Sequence, residues 1–250
     1  MTKAADPALR LSDRIDRAAV AEALRTRGRA QIRDLLPEAA ARRLLECLRR
    51  EVAWNITFND DKGKVHTIFP NQIEAMTDGH RAWLKSFTEE HGRYGFQFLF
   101  RSYPLWDIWA KGGAPDLYAF RFMEFVNGPE FLGLIREVTG QGDITMADAQ
   151  ATLFGPGDFL TRHTDENPGK GRRLAYVLNL SPAWQAEWGG VLEFLDADGN
   201  VAEGFVPRFN TLNLFTVPAN HHVSYVSPLA AAGRYSITGW LRADPTMGKG

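Results

Sequence analysis

The sequence predicts an α+β fold in which helices come first and a jelly-roll or barrel of short strands follows. Two observations carry this expectation. Helical spacing with capping signals recurs up to about Asp143, and beyond it apolar or β-branched runs recur at regular intervals between turn residues. Helices that precede such strands pack on one face of the sheet, which favours one domain over two. The expected organisation is a single domain over 1–250, with 1–142 as mainly helical support and pocket entrance and 143–242 as the strand core.

Taken in order, residues 11–27 read as a first helix, with Ser12 as N-cap and Gly28 as its stop. Residues 30–36 read as a short strand. Pro37 opens a stronger helix whose apolar face is Leu44, Leu45 and Leu48. Residues 55–64 are polar and turn-rich, with Asn59-Asp60-Asp61-Lys62-Gly63 as a hairpin or loop. A third helix is expected near 78–90. The aromatic stretch 96–109 (Phe96, Phe98, Phe100, Tyr103, Trp106, Trp109) reads as core, or as a wall beside a pocket. Residues 118–140 look helical with a break at Asn127-Gly128-Pro129. The strand runs are 144–154, 159–162, 174–180, 191–195, 201–206, 212–217, 222–226 and 235–241.

A formal charge of -1, from 29 basic and 30 acidic residues, gives no bulk attraction to nucleic acid or membrane. Direct nucleic-acid binding is therefore not expected. The single cysteine, Cys47, excludes an internal disulfide and any multi-cysteine zinc cluster, and its helical apolar setting reads as core. No apolar run reaches the roughly 18–20 residues needed to span a bilayer, and residues 1–17 lack the apolar segment of a secretory signal. The expected setting is cytoplasmic.

The chemistry concentrates in His163-Thr164-Asp165. Strand residues i and i+2 share a face, so one imidazole and one carboxylate can meet at a point. A histidine of His221-His222 completes a 2-His-1-carboxylate set, which suits Fe(II) with open positions and would also hold Zn(II). Strand alternation sends His221 and His222 to opposite faces without saying which one turns inward. Arg234, followed at i+2 by Ser236, offers a guanidinium fork and a hydroxyl to the far carboxylate of a dicarboxylic cosubstrate. His66, His80 and His91 read as ordinary histidines, with a substrate role open for His66 because Lys64-Val65-His66-Thr67 could cover the pocket, and Trp184 and Trp188 read as packing residues beside Gly189-Gly190.

Over 149–241 the chain resembles the 2-oxoglutarate- and Fe(II)-dependent oxygenases of the prolyl-hydroxylase type, and most of all the branch that acts on a small-subunit ribosomal protein. The resemblance rests on Gly157-Asp158-Phe159-Leu160 leading into His163-Thr164-Asp165-Glu166, on Gly171-Arg172-Arg173-Leu174-Ala175, and on Trp184 with Gly189-Gly190-Val191-Leu192. It continues through Pro207-Arg208-Phe209-Asn210, His221-His222-Val223-Ser224-Tyr225-Val226 and Arg234-Tyr235-Ser236-Ile237-Thr238-Gly239-Trp240.

The resemblance implies a double-stranded β-helix (jelly-roll) core, with His163, Asp165 and His221 as metal ligands and Arg234 and Ser236 as the 2-oxoglutarate carboxylate site. The family's usual cosubstrate tyrosine falls on Asn179, so either Asn179 or nearby Tyr176 is expected to serve there. It further implies Fe(II), 2-oxoglutarate and O2, with ascorbate in support. The implied reaction hydroxylates a prolyl residue of a protein, within the translation machinery on this resemblance, and releases succinate and CO2. The alternatives are a hydroxylase of a free amino acid or other small molecule, and a non-catalytic metal- or 2-oxoglutarate-binding module.

Overall fold

The N-terminal helices form where apolar spacing and end signals coincide. In the computed structural model, which describes residues 6–113 and 116–243, helix α1 spans Arg17–Arg27 and α2 spans Glu38–Arg50. Positions 1–5, 114–115 and 244–250 of the expected 1–250 domain lie outside the described residues. Helix α1 starts later than its sequence suggests. Asp16, rather than Ser12, accepts the Ala19 N–H, and Leu11 is buried in an extended lead-in tied to Leu35 and Glu130. Gly28 closes the helix in the left-handed conformation, as expected. In α2, Leu44, Leu45, Cys47 and Leu48 are all buried, and burial pushes the Cys47 thiol up to about 11.

Residues 1–142 supply strands as well as helices: β1 (Arg29–Ile32), β2 (Asn55–Asn59), β3 (Val65–Ile68) and β4 (Phe98–Tyr103). The polar stretch 55–64 hides β2, all of whose residues are buried. Its Thr57 hydroxyl pairs with that of Ser102 at 2.5 Å, and the Asn59 backbone exchanges bonds with the Gln97 amide. Helices α3 (Pro70–Glu74) and α4 (Asp78–Gly92) follow, then α5 (Leu105–Trp109), α6 (Ala119–Val126) and α7 (Pro129–Thr139), with the break at Asn127-Gly128 where expected.

After Asp143 come β5 (Ile144–Ala147), β6 (Gln150–Phe154), β7 (Phe159–His163), β8 (Arg172–Asn179), β9 (Leu192–Leu195), β10 (Val201–Phe205), β11 (Thr211–Thr216), β12 (His221–Val223) and β13 (Arg234–Ala243). The thirteen strands form one antiparallel sheet in the order β1-β11-β8-β13-β6-β4-β7-β12-β9-β10, with β2 on β4, β3 on β2 and β5 on β13. The sheet curls into a half-barrel, matching the predicted jelly-roll core.

Period-2 alternation gives the sheet two different faces. Leu174, Tyr176 and Leu178 of β8, Leu212 and Leu214 of β11, and Ile237 and Leu241 of β13 pack outward with α1, α2, α6 and α7 in the main core. The intervening residues Ala175, Val177, Phe215, Ser236 and Trp240 line a cavity inside the curl. No helix of the described residues is long and apolar enough to cross a membrane.

Candidate active site

Strand β12 lies between β7 and β9, and its register sets His221 opposite His163. A register shift between His221 and Val223 brings the two rings together, with centroids 4.2 Å apart. Strand β7 ends at His163. Two residues on, Asp165 adopts a left-handed backbone (φ 62°) and turns its carboxylate back toward both rings. His163 Nε2 lies 3.4 Å from Oδ1 and His221 Nε2 lies 3.4 Å from Oδ2.

The far side of each ring fixes its tautomer. His163 Nδ1 is 3.0 Å from the Thr161 carbonyl and His221 Nδ1 is 2.8 Å from the Ala219 carbonyl. A carbonyl only accepts, so both Nδ1 atoms carry the proton and both Nε2 lone pairs face Asp165. Burial opposes ionisation of Asp165, but once the imidazoles are protonated each Nε2 becomes a cationic donor to the carboxylate, and these bonds and charges outweigh burial and hold the carboxyl well below its ordinary range. Phe215 and Phe96 pack against the pair, with centroids 4.7 Å from His221 and 5.4 Å from His163. His222 points to the opposite face, where its Nε2 meets Glu193 at 2.6 Å.

These donors open into a cavity of about 590 Å³. Phe96, Phe98 and Phe100 form part of its lining, so the aromatic stretch serves as both core and wall. Arg234 also lines it, at 2 % exposure. Its guanidinium has no anionic partner among the described residues, its Nε bonds to nothing, and burial lowers its pKa to about 10. Ser236 stands two residues along the same face, its hydroxyl 2.8 Å from that of Thr152 on β6.

Asn179 is paired with Ser236 across β8 and β13 and is fully buried, and it is not among the residues lining the cavity. Its Nδ2 makes long contacts with the Val177 and Thr211 carbonyls (3.4 and 3.3 Å), and its Oδ1 has no partner. Tyr176 lies on the helix-facing side of β8, its hydroxyl donating to the Asp148 carbonyl at 2.8 Å. It does not reach the cavity.

Several lining residues escape a sequence reading. Gln150, Thr152 and Phe154 alternate along β6, and that period is the signal that could have found them. The pairing of Arg172 with Trp240, in which the guanidinium carbon sits 3.5 Å from the ring centroid, has no local signal because the two residues lie on different strands. His66 bonds Asp60 at 2.8 Å, His80 completes the N-terminal capping box of α4, and His91 meets the Phe87 carbonyl. Trp184 donates to the Gly189 carbonyl and stacks edge-on against Trp188, in keeping with packing.

Two neutral imidazole nitrogens and a carboxylate oxygen, within 4.8 Å of one another and facing a cavity, fit a divalent transition metal with positions left open. A buried unpaired guanidinium in the same cavity fits a carboxylate. Residues 149–242 match the model of the 2OG-Fe(II) oxygenase superfamily. They form a 2OG-Fe(II) oxygenase domain. His163, Asp165, His221, Arg234 and Ser236 all fall within it.

Relatives of the domain extend beyond this core. The chain is 27 % identical over 185 residues to prolyl 3-hydroxylase OGFOD1 of Mus musculus, covering 71 % of this chain and 32 % of the relative. It is 33 % identical over 131 residues to the Xenopus laevis protein of the same name, covering 49 % and 24 %. The chain thus spans a third or less of the length of these curated relatives. A Pseudomonas putida prolyl-4-hydroxylase structure shares the fold at a TM-score of 0.56 and 21 % identity, covering 91 % of this chain and 99 % of that one. The family to which the domain belongs takes Fe(II), 2-oxoglutarate and O2.

Proposed function

We propose that this chain is an Fe(II)- and 2-oxoglutarate-dependent dioxygenase that hydroxylates a prolyl residue in a protein substrate. The observation that carries the reading is Arg234, a buried cation without an anionic partner among the described residues, in the same cavity as the three metal-type donors. A charge left unpaired at such depth is costly, so the site is built for an anion that arrives with the ligand.

In this reading His163, Asp165 and His221 hold the iron through Nε2, a carboxylate oxygen and Nε2. Arg234 and Ser236 hold the distal carboxylate of 2-oxoglutarate, and Thr152 orients the Ser236 hydroxyl. Asn179 stands beside Ser236 as its partner across the β8–β13 pair and does not line the cavity. When bound, the iron, 2-oxoglutarate and O2 would supply the oxidising power to hydroxylate a substrate C–H bond, the second oxygen atom leaving in succinate as CO2 is released. The protein contributes orientation and dryness. The Thr161 and Ala219 carbonyls lock the imidazoles, and Phe96, Phe98, Phe100 and Phe215 exclude water around them.

The cavity mouth suits a polypeptide. Val65 and Phe96 line it and remain 57 % and 50 % exposed, which offers apolar contact to a pyrrolidine ring and its neighbours. Trp240 Nε1 and Arg172 Nε are buried donors without acceptors, fit to receive substrate carbonyls. The relatives named prolyl 3-hydroxylase support proline as the target, and the resemblance to the ribosomal branch makes the translation machinery the first place to look.

Anaerobic addition of Fe(II) and 2-oxoglutarate should produce a weak visible charge-transfer band. Mass spectrometry of host proteins with and without the chain should then reveal a proline that gains one oxygen. Absence of the band sinks the oxygenase reading. A band with succinate formed only from free amino acids replaces the protein substrate with a small one.

A further inference from the structure

The carboxylate of Asp165 does not meet the two imidazoles by strand alternation, because β7 stops at His163. It does so through a left-handed backbone, at φ 62° one of three such non-glycine positions among the described residues. That conformation is disfavoured by roughly 1–2 kcal/mol for most L-residues, somewhat less for Asp, and persists only where surrounding contacts over-determine it.

The contact at hand is Arg172. Its Nη1 donates to the backbone carbonyl of Asp165 at 2.9 Å, closing the loop that runs from the carboxylate to the start of β8. The guanidinium is itself immobilised. It lies over the Trp240 ring, 3.5 Å from the centroid, and the backbone N–H of Trp240 donates to Asp148 Oδ1 at 2.8 Å. The backbone beneath Arg172 is equally fixed. The Gly171 carbonyl accepts from the Ala243 N–H at 2.9 Å, and an added Cβ at Gly171 would stand 2.7 Å from the Ala243 carbonyl oxygen. Asp148, Trp240, Arg172 and Asp165 thus form one chain of contacts ending on the backbone of the carboxylate donor.

We propose that Arg172 is a positioning residue for the metal centre: it holds the Asp165 backbone in the turn that presents both carboxylate oxygens to the histidines. This rests on the oxygenase reading above. The hydrogen bond goes to the carbonyl and not to the carboxylate, so it orients the backbone, with the charge attraction between the two side chains acting alongside. Lysine would keep the charge but not the planar group over the ring or the second-nitrogen geometry, and so should not substitute.

The test measures Mn(II) binding by electron paramagnetic resonance, in the presence of 2-oxoglutarate, for wild type, Arg172→Lys, Arg172→Gln and Trp240→Phe, alongside the unfolding temperature of each metal-free protein. Loss of an outer partner of this kind weakens metal binding about 10–100-fold. Both Arg172 variants should show that loss, with an altered Mn(II) signal and a metal-free unfolding temperature close to wild type. Trp240→Phe keeps an aromatic face and should retain near-wild-type affinity. Wild-type affinity in Arg172→Lys and Arg172→Gln overturns the proposal, as does a loss that merely tracks a lowered metal-free unfolding temperature. Failure of wild type to bind Mn(II) overturns the oxygenase reading itself, a distinguishable result.

Discussion

The guanidinium of Arg234 lies over the ring of Phe154, 5.1 Å from its centroid, in a cavity wall that gives it no carboxylate among the described residues. An aromatic face compensates a buried cation only in part. Arg234→Met should therefore stabilise the metal-free protein while damaging cosubstrate binding. Hydrogen bonds to a charged group contribute about 1.5–3 kcal/mol, so the apparent affinity for 2-oxoglutarate should fall about 10–100-fold. Thermal unfolding with and without 2-oxoglutarate and Mn(II) checks both signs. A variant less stable than wild type in the free state would mean that Arg234 has a partner of its own.

His221 and His222 are neighbours with separate jobs. His221 faces Asp165, whereas His222 is engaged with Glu193 on the other side of β12. His221→Ala should abolish Mn(II) binding, and His222→Ala should leave it within a few-fold of wild type. Isothermal titration of the two variants separates them, and the reverse order would reassign the donor set.

Asp158 introduces a pH dependence of known sign. Burial pushes its carboxyl up from 3.8 to about 6, against the Gly155 N–H at 2.7 Å and Arg101 at 3.7 Å. A raised carboxyl pKa means that the folded state favours the protonated form, so its contribution is full below the unfolded value and is lost as pH rises through about 6. Asp158→Asn retains an acceptor for Gly155 and removes the titration. Relative to wild type it should gain roughly 1–3 kcal/mol between pH 4 and 7. Chemical denaturation across that range reads the difference, and parallel curves would refute it.

Gly189 sits at φ 68°, and a Cβ there would stand 2.0 Å from the Tyr225 carbonyl oxygen. Gly189→Ala combines a left-handed alanine with a backbone overlap, a destabilisation of about 3 kcal/mol. Its neighbour Gly190 packs on Trp184, Val226 and the Arg234 side chain, so the same variant should also weaken 2-oxoglutarate binding. Denaturation midpoints and a 2-oxoglutarate titration test the two effects together.

The metal-type cluster was legible because its donors sit in short motifs on β7 and β12, where period-2 alternation narrows the choices. That logic left His221 and His222 open. The register of β12 against β7 and β9 decides which one turns inward, and pairing register is not written in local sequence. The same limit applies to Tyr176 and Asn179, which lie on opposite faces of β8. Strand β2 was hidden for another reason. Asn55, Thr57 and Asn59 look like loop residues, and Ser102 and Gln97, which supply partners to this strand, lie some forty residues away. Arg172 was visible only as one of two adjacent arginines, since its contacts with Trp240 and Asp165 depend on the curl of the whole sheet.

The shortness of β12 has a mechanical consequence. Its three residues meet β7 through a slipped register, and the seam is continued by the backbone bonds of Gly157 and Asp158 with Val226. An ion shared by His163, Asp165 and His221 would be a removable rivet across that seam, closing a long stretch of chain from β7 to β12. Chelation would then release a structural fastener along with the reactive centre. The β7–β12 amides should be the ones whose hydrogen exchange slows most when metal is restored.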